Sequence, residues 1–126
     1  SRIYLFRRGQ LSQLTEDHSV VAALLKYGHI TPEDAQKHPA RGKLSRYVGM
    51  EGEVYPDVQT ISLEPCDRIV LCSDGLTSMV SDTKIAERLR TCSEPDTACQ
   101  ALVDAANAQG GKDNITTVVL NFEQEF

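Results

Sequence analysis

Apolar positions fall into short continuous runs and spaced stripes. Residues 69–72, Ile-Val-Leu-Cys, form an unbroken apolar run between Asp67-Arg68 and Ser73-Asp74-Gly75. Its length and β-branched start predict a buried strand. Residues 115–120 predict a second buried strand after Gly110-Gly111-Lys112-Asp113-Asn114. Ile3 and Leu5 alternate with Tyr4 and Phe6, so 3–6 and 10–14 read as a hairpin whose first strand is covered on both faces. Its turn, Arg7-Arg8-Gly9, is expected to be solvated. Residues 58–63 predict a further strand, with a turn over 64–67.

Four stretches carry helical signals. Residues 20–28 follow two candidate caps, Asp17 and Ser19, and end at Gly28. Residues 31–38 have Thr31 as cap, Pro32 in first position, Asp34 reaching back and Pro39 as stop. Ser81-Asp82 caps a helix to about Arg90, with Ile85, Ala86 and Leu89 on one face. Pro95-Asp96 opens a helix over 97–108, where Ala98, Ala101, Leu102, Ala105 and Ala106 keep the helical period. Residues 76–80 predict a single turn. Residues 40–59 hold Gly42, Gly49, Gly52 and Pro56 and predict a long surface loop of a kind that tends to carry function. The tail, 123–126, is expected to fray.

At 126 residues, 40% hydrophobic and 25% charged, the chain has the composition of one ordinary small domain. A net charge of −5 gives no electrostatic case for nucleic acid. No apolar run approaches the roughly 20 residues that span a bilayer. With no secretory signal and a start at Ser1, the chain reads as a cytoplasmic protein cut from something longer. Cys66, Cys72, Cys92 and Cys99 match no zinc spacing and are expected to be free thiols.

The chemistry concentrates at two turns. Asp74 stands where a rigid strand stops, and a strand end fixes a carboxylate while the turn leaves it accessible. Gly75 is expected to supply a positive φ there. Asp113 precedes the last strand, 39 residues on (113 minus 74). If those strands lie side by side, both acids share one rim, where they repel unless a cation lies between them. Singly, each is an ordinary turn residue.

The order of the whole pattern carries a resemblance. Asp67-Arg68-Ile69-Val70-Leu71-Cys72-Ser73-Asp74-Gly75-Leu76, followed by Gly110-Gly111-Lys112-Asp113-Asn114-Ile115-Thr116-Thr117-Val118-Val119, closely resembles the metal-dependent protein serine/threonine phosphatases of the type 2C (PPM) family, bacterial-type. Ser1-Arg2-Ile3-Tyr4-Leu5-Phe6, Gln13-Leu14-Thr15-Glu16-Asp17-His18-Ser19 and His38-Pro39-Ala40-Arg41 sit in family order. The resemblance covers essentially the whole chain and only the C-terminal half of the family's domain.

It implies an α+β fold, part of a two-layer antiparallel β-sandwich flanked by helices, with strands going to both sheets and the N-terminal half missing. Asp74 and Asp113 match the family's metal-binding aspartates, with Gly75, Gly111 and Asn114 as supports and Ser73 and Thr77 as weaker ones. The loop over about 40–57 resembles a flap beside the active site, where Arg41 and Arg46 would meet the substrate's phosphate. The flap's detail departs from the family, which often has Arg-Asn where this chain has Arg41-Gly42. Two or more Mg²⁺ or Mn²⁺ ions in the complete domain, and direct attack by metal-bound hydroxide on phosphoserine or phosphothreonine, are implied. The remaining ligands, the phosphate-binding arginine and the histidine proposed as general acid belong upstream. His18 therefore inherits no catalytic role, and His29 and His38 are expected to be exposed helix-end residues without a metal role. The isolated half is expected to show little or no activity, and to be partly unfolded, to dimerise through open strand edges, or to be one polypeptide of a nicked domain beside its missing N-terminal half. Its expected partners are phosphorylated proteins, the substrates of a serine/threonine kinase. Two other readings compete: a non-catalytic lobe that binds a phosphoprotein or partner, and a plain α+β domain whose turns only mimic ligands.

Overall fold

A computed structural model describes residues 1–123, so the expected frayed tail lies, apart from Glu123, outside the described residues. The chain divides into two compact units, Ser1–Glu16 with Ile61–Phe126, and Asp17–Thr60.

The first unit is built on four antiparallel strands in the order β2-β1-β3-β4: β1 (Arg2–Arg7), β2 (Gln10–Gln13), β3 (Arg68–Cys72) and β4 (Thr117–Asn121). Arg8 at φ 50° and Gly9 at φ 77° make the two-residue turn between β1 and β2. Two positive φ values match the right-handed twist of the flanking strands. Cross-strand pairs run Tyr4 to Val70 and Val70 to Val119. Tyr4, Phe6, Val70, Cys72 and Val119 therefore share one face. Onto it pack α3 (Asp74–Thr77), α4 (Asp82–Thr91) and α5 (Pro95–Ala108). The predicted stripes do the packing: Ile85, Ala86 and Leu89 from α4, and Ala98, Leu102 and Ala106 from α5, are buried. Each fully buried Leu or Ile contributes roughly 1.5–3 kcal/mol.

The opposite face carries Ile3, Leu5, Ile69, Leu71, Val118 and Leu120. Of these, Val118 is 45% and Leu120 53% exposed. This corrects the expectation that β4 is buried: Val119 is buried against the helices, while Val118 and Leu120 on its other side are exposed, although Leu5 on that same face of the sheet is buried. Among the described residues the four strands join one sheet, so the expectation that this half gives strands to both sheets is corrected.

The expected solvated turn at Arg7-Arg8-Gly9 divides differently. Arg7 belongs to β1, and its guanidinium grips both oxygens of Asp67 at 2.9 and 2.6 Å. Asp67 is 1% exposed and also accepts the Glu64 N–H at 2.7 Å. Arg7 beside it holds its carboxyl below the usual carboxylate range. Next to it, buried Arg68 donates to Leu89 O at 2.6 Å, Cys92 O at 2.8 Å and Asn121 Oδ1 at 2.8 Å. It thereby satisfies carbonyls left over at the C-terminal end of α4 and ties that end to β3 and β4.

The second unit holds α1 (Val20–Lys26) and α2 (Pro32–Lys37). Ser19, rather than Asp17, caps α1 by accepting the Ala22 N–H, and Gly28 at φ 73° closes it. The α2 capping box of Thr31 and Asp34 forms as expected. His29 is exposed, whereas half-buried His38 turns Nδ1 to the Ala40 N–H at 3.0 Å. The strand expected over 58–63 does not form. Val58 is 87% exposed, and no strand pairs with this stretch among the described residues. Alternating side chains alone do not hold a strand whose backbone lacks a ladder partner. The four cysteines are free thiols.

Candidate metal centre

Register brings the two acid-bearing turns together. Cys72, the last residue of β3, faces Thr117, the first of β4. One step beyond, Ser73 N–H donates to Thr116 O at 3.0 Å. The Ser73 hydroxyl accepts the Thr116 N–H at 3.0 Å and donates to Asn114 O at 3.3 Å. Both turns are thus stapled by one serine, a residue the sequence ranked only as a weak support. Thr116 stands in the motif and in the predicted strand 115–120 with no role of its own; β4 begins one residue later, at Thr117, and Thr116 pairs with Ser73 instead.

Gly75 explains the closeness. A Cβ there would stand 2.0 Å from Asn114 O and 2.8 Å from Asn114 C. Its role is this approach of backbones, which corrects the expected positive φ: Gly75 sits inside α3 and is absent from the left-handed residues. Asp74 begins α3 and is exposed. Asp113 is exposed and accepts the Asn114 N–H at 2.7 Å. Asn114 thus constrains Asp113 through its backbone. Gly111, at φ 50°, donates its N–H to Ala106 O and closes α5, setting where the second turn begins. Thr77 is half-buried on α3.

Neither Asp74 nor Asp113 has a cationic partner among the described residues. Two exposed carboxylates on stapled turns are hard oxygen donors, which suit Mg²⁺ or Mn²⁺. They supply only part of a six-coordinate shell. No group of three or more His, Cys, Asp or Glu suited to a metal occurs among the described residues.

At the same end of the sheet, Arg2 faces Cys72 across β1 and β3. Arg2 donates to the Tyr4 hydroxyl at 2.9 Å, which donates to Asp82 Oδ1 at 2.9 Å. Burial, with Asp82 adding to it against Arg2, pushes Tyr4 up to about 12. This chain, unread in the sequence, ties β1 to the start of α4.

Arg41 and Arg46 lie in the second unit. Arg41 Nη1 donates to Gln36 O at 2.7 Å. Arg46 Nη1 donates to Asp57 Oδ1 at 2.9 Å and Tyr55 O at 3.3 Å.

Residues 13–123 match the family model described as stage II sporulation protein E. The serine/threonine phosphatase stp of Listeria welshimeri is 41% identical over 120 residues, 95% of this chain and 48% of that protein. The crystal structure of the Mycobacterium tuberculosis serine/threonine phosphatase PstP/Ppp superposes with a TM-score of 0.91 at 40% identity, over 98% of this chain and 52% of that one. The catalytic domain of PstP in complex with two manganese ions gives a TM-score of 0.78 at 38% identity, over 94% of this chain and 48% of that one. The chain spans about half the length of the relatives it matches. No helix among the described residues is long and apolar enough to cross a membrane. By sequence and fold, the chain belongs to the PPM-type family of serine/threonine phosphatases and is the C-terminal half of its domain.

Proposed function

We propose that this chain is the metal-holding C-terminal lobe of a phosphoserine/phosphothreonine protein phosphatase. Asp74 and Asp113 would each give carboxylate oxygens to divalent Mg²⁺ or Mn²⁺. Gly75 lets the turns approach, while Gly111 and Asn114 set where Asp113 stands. The observation that carries this reading is the Ser73 staple, whose hydroxyl accepts the Thr116 N–H at 3.0 Å and so holds the two acid-bearing turns together. The catalytic domain of PstP, a similar chain, is in complex with two manganese ions, which supports a divalent metal as the cofactor. When bound, such ions neutralise charge on the transferring phosphoryl group and acidify water.

The remaining ligands belong to the other half of the domain. The exposed apolar face with Val118 and Leu120 suits a layer supplied by that half, and the open edges of β2 and β4 allow a dimer in its absence. The loop over about 40–57 is the flap, and Arg41 and Arg46 are its substrate-side cations. Phosphorylated proteins, made by a serine/threonine kinase in the same compartment, are the substrates.

The test is phosphate release from a phosphothreonine peptide. This chain joined to a family N-terminal half should turn over with Mn²⁺, and Asp74→Asn should abolish turnover. The chain alone should release little. Turnover that survives Asp74→Asn would overturn the assignment. No turnover from the joined domain would favour a partner-binding lobe.

A further inference from the structure

Within the second unit, one carboxylate joins three segments. Asp57 Oδ2 meets His18 Nε2 at 2.6 Å, at the start of the turn leading into α1. Asp57 Oδ1 receives Arg46 Nη1 at 2.9 Å. Backbone bonds fix the same neighbourhood: Ser45 N–H to His18 O at 2.9 Å and Val20 N–H to Lys43 O at 3.0 Å. Arg46 is therefore set on a backbone pinned to the head of α1, and its side chain is set by Asp57. Among the described residues only Nη1 of its guanidinium is engaged. Nε and Nη2, the edge that fits two oxygens of a phosphate, remain available.

We propose that Asp57 is a positioning residue. Clamped by His18, it holds Arg46 by one nitrogen so that the Nε/Nη2 edge is presented to the phosphate of a phosphoserine or phosphothreonine substrate. This rests on the reading of Arg46 as a substrate-side cation. The chemistry favours a holding role over competition. A carboxylate that blocked Arg46 would take its bidentate edge, as Asp67 does with Arg7 through Nε and Nη2. Asp57 takes a single nitrogen and shares it with the Tyr55 carbonyl. Its second oxygen is occupied by His18, so it stays where it is when Arg46 is engaged. Arg46 and His18 together also hold the Asp57 carboxyl below its ordinary value, which keeps it ionised. Holding a long side chain in one orientation before binding removes part of the ordering entropy that binding would otherwise meet.

The experiment is a titration of the ¹⁵N-labelled chain with O-phosphothreonine, following arginine Nε–H signals without metal. Arg46 Nε–H should shift saturably. Asp57→Asn should weaken the apparent affinity about three- to tenfold. His18→Gln, which leaves the Arg46–Asp57 contact in place, should weaken it less, and Asp57→Glu should recover most of it. Amide spectra confirm that each variant keeps the fold of the unit. An Arg46 signal unmoved in the parent chain, or binding unchanged or tighter in Asp57→Asn, would overturn the proposal; tighter binding would make Asp57 a competitor. Because the readout uses neither metal nor turnover, its failure is separable from failure of the Asp74 test.

Discussion

Replacing Gly75 with alanine probes the joint between the two turns. The new methyl would stand 2.0 Å from the Asn114 carbonyl oxygen and 2.8 Å from its carbon. Ordinary carbon–oxygen contact lies well beyond 3 Å, and both clashing atoms are backbone, so no side chain can swing away. The segments must part by about 1 Å or more, which strains the core by about 1–3 kcal/mol. Parting also weakens the Ser73 bonds to Thr116 and Asn114 at the same joint, about 1 kcal/mol each. The expected loss is about 3–5 kcal/mol, read as a fall in urea midpoint at unchanged m. Gly111→Ala is the contrast. Its methyl would meet the movable Asn107 Oδ1 at 2.6 Å, and its φ of 50° is tolerable at about 1–2 kcal/mol. In the joined domain, Gly75→Ala should also raise the Mn²⁺ concentration needed for half-maximal turnover, and Gly111→Ala should do so less. A Gly75→Ala chain within about 0.5 kcal/mol of the parent would refute the close-approach argument.

Arg68→Ala should destabilise the first unit by about 3–5 kcal/mol, since Leu89 O, Cys92 O and Asn121 lose a buried donor together; a urea midpoint corresponding to less than about 1 kcal/mol contradicts this. Asp67, with its folded pKa lowered by Arg7, contributes stability that is complete above its unfolded value of about 4 and is lost as pH falls through the folded value. Urea titrations across the acid range should show that part of the pH dependence vanish in Asp67→Asn. Tyr4, pushed up to about 12, favours the fold fully below its unfolded value near 10 and loses that contribution as pH rises towards 12. Phenolate absorbance should show a tyrosine titrating near 12, absent in Tyr4→Phe.

The rim was legible because strand ends have local signatures. An apolar run that stops at Ser73-Asp74-Gly75, and another that starts after Asp113-Asn114, predicted where backbone would turn. Helix caps at Ser19, Thr31 and Ser81 were legible for the same reason: each bond spans three residues. What stayed hidden depended on partners far along the chain. Arg7 looked like a turn residue because its partner, Asp67, lies 60 positions away. Val58 looked like a strand residue because alternation says nothing about whether a neighbouring strand exists. Left-handed backbone and close packing both select glycine, so the sequence marks Gly75 without saying which applies; the 2.0 Å approach to Asn114 O does. The exposed face of β4 could not be read from Val118 and Leu120, whose apolarity fits a covered face better than the one seen.

The central claim is that Asp74 and Asp113 act on one divalent site. Paramagnetic broadening by Mn²⁺, followed amide by amide in the labelled chain, tests it most directly. At low Mn²⁺, signals of residues 73–75 and 112–115 should broaden together, and Asp74→Asn should relieve broadening at both turns. Broadening at residues 112–115 that persists undiminished in Asp74→Asn would mean two independent acids and would contradict the account.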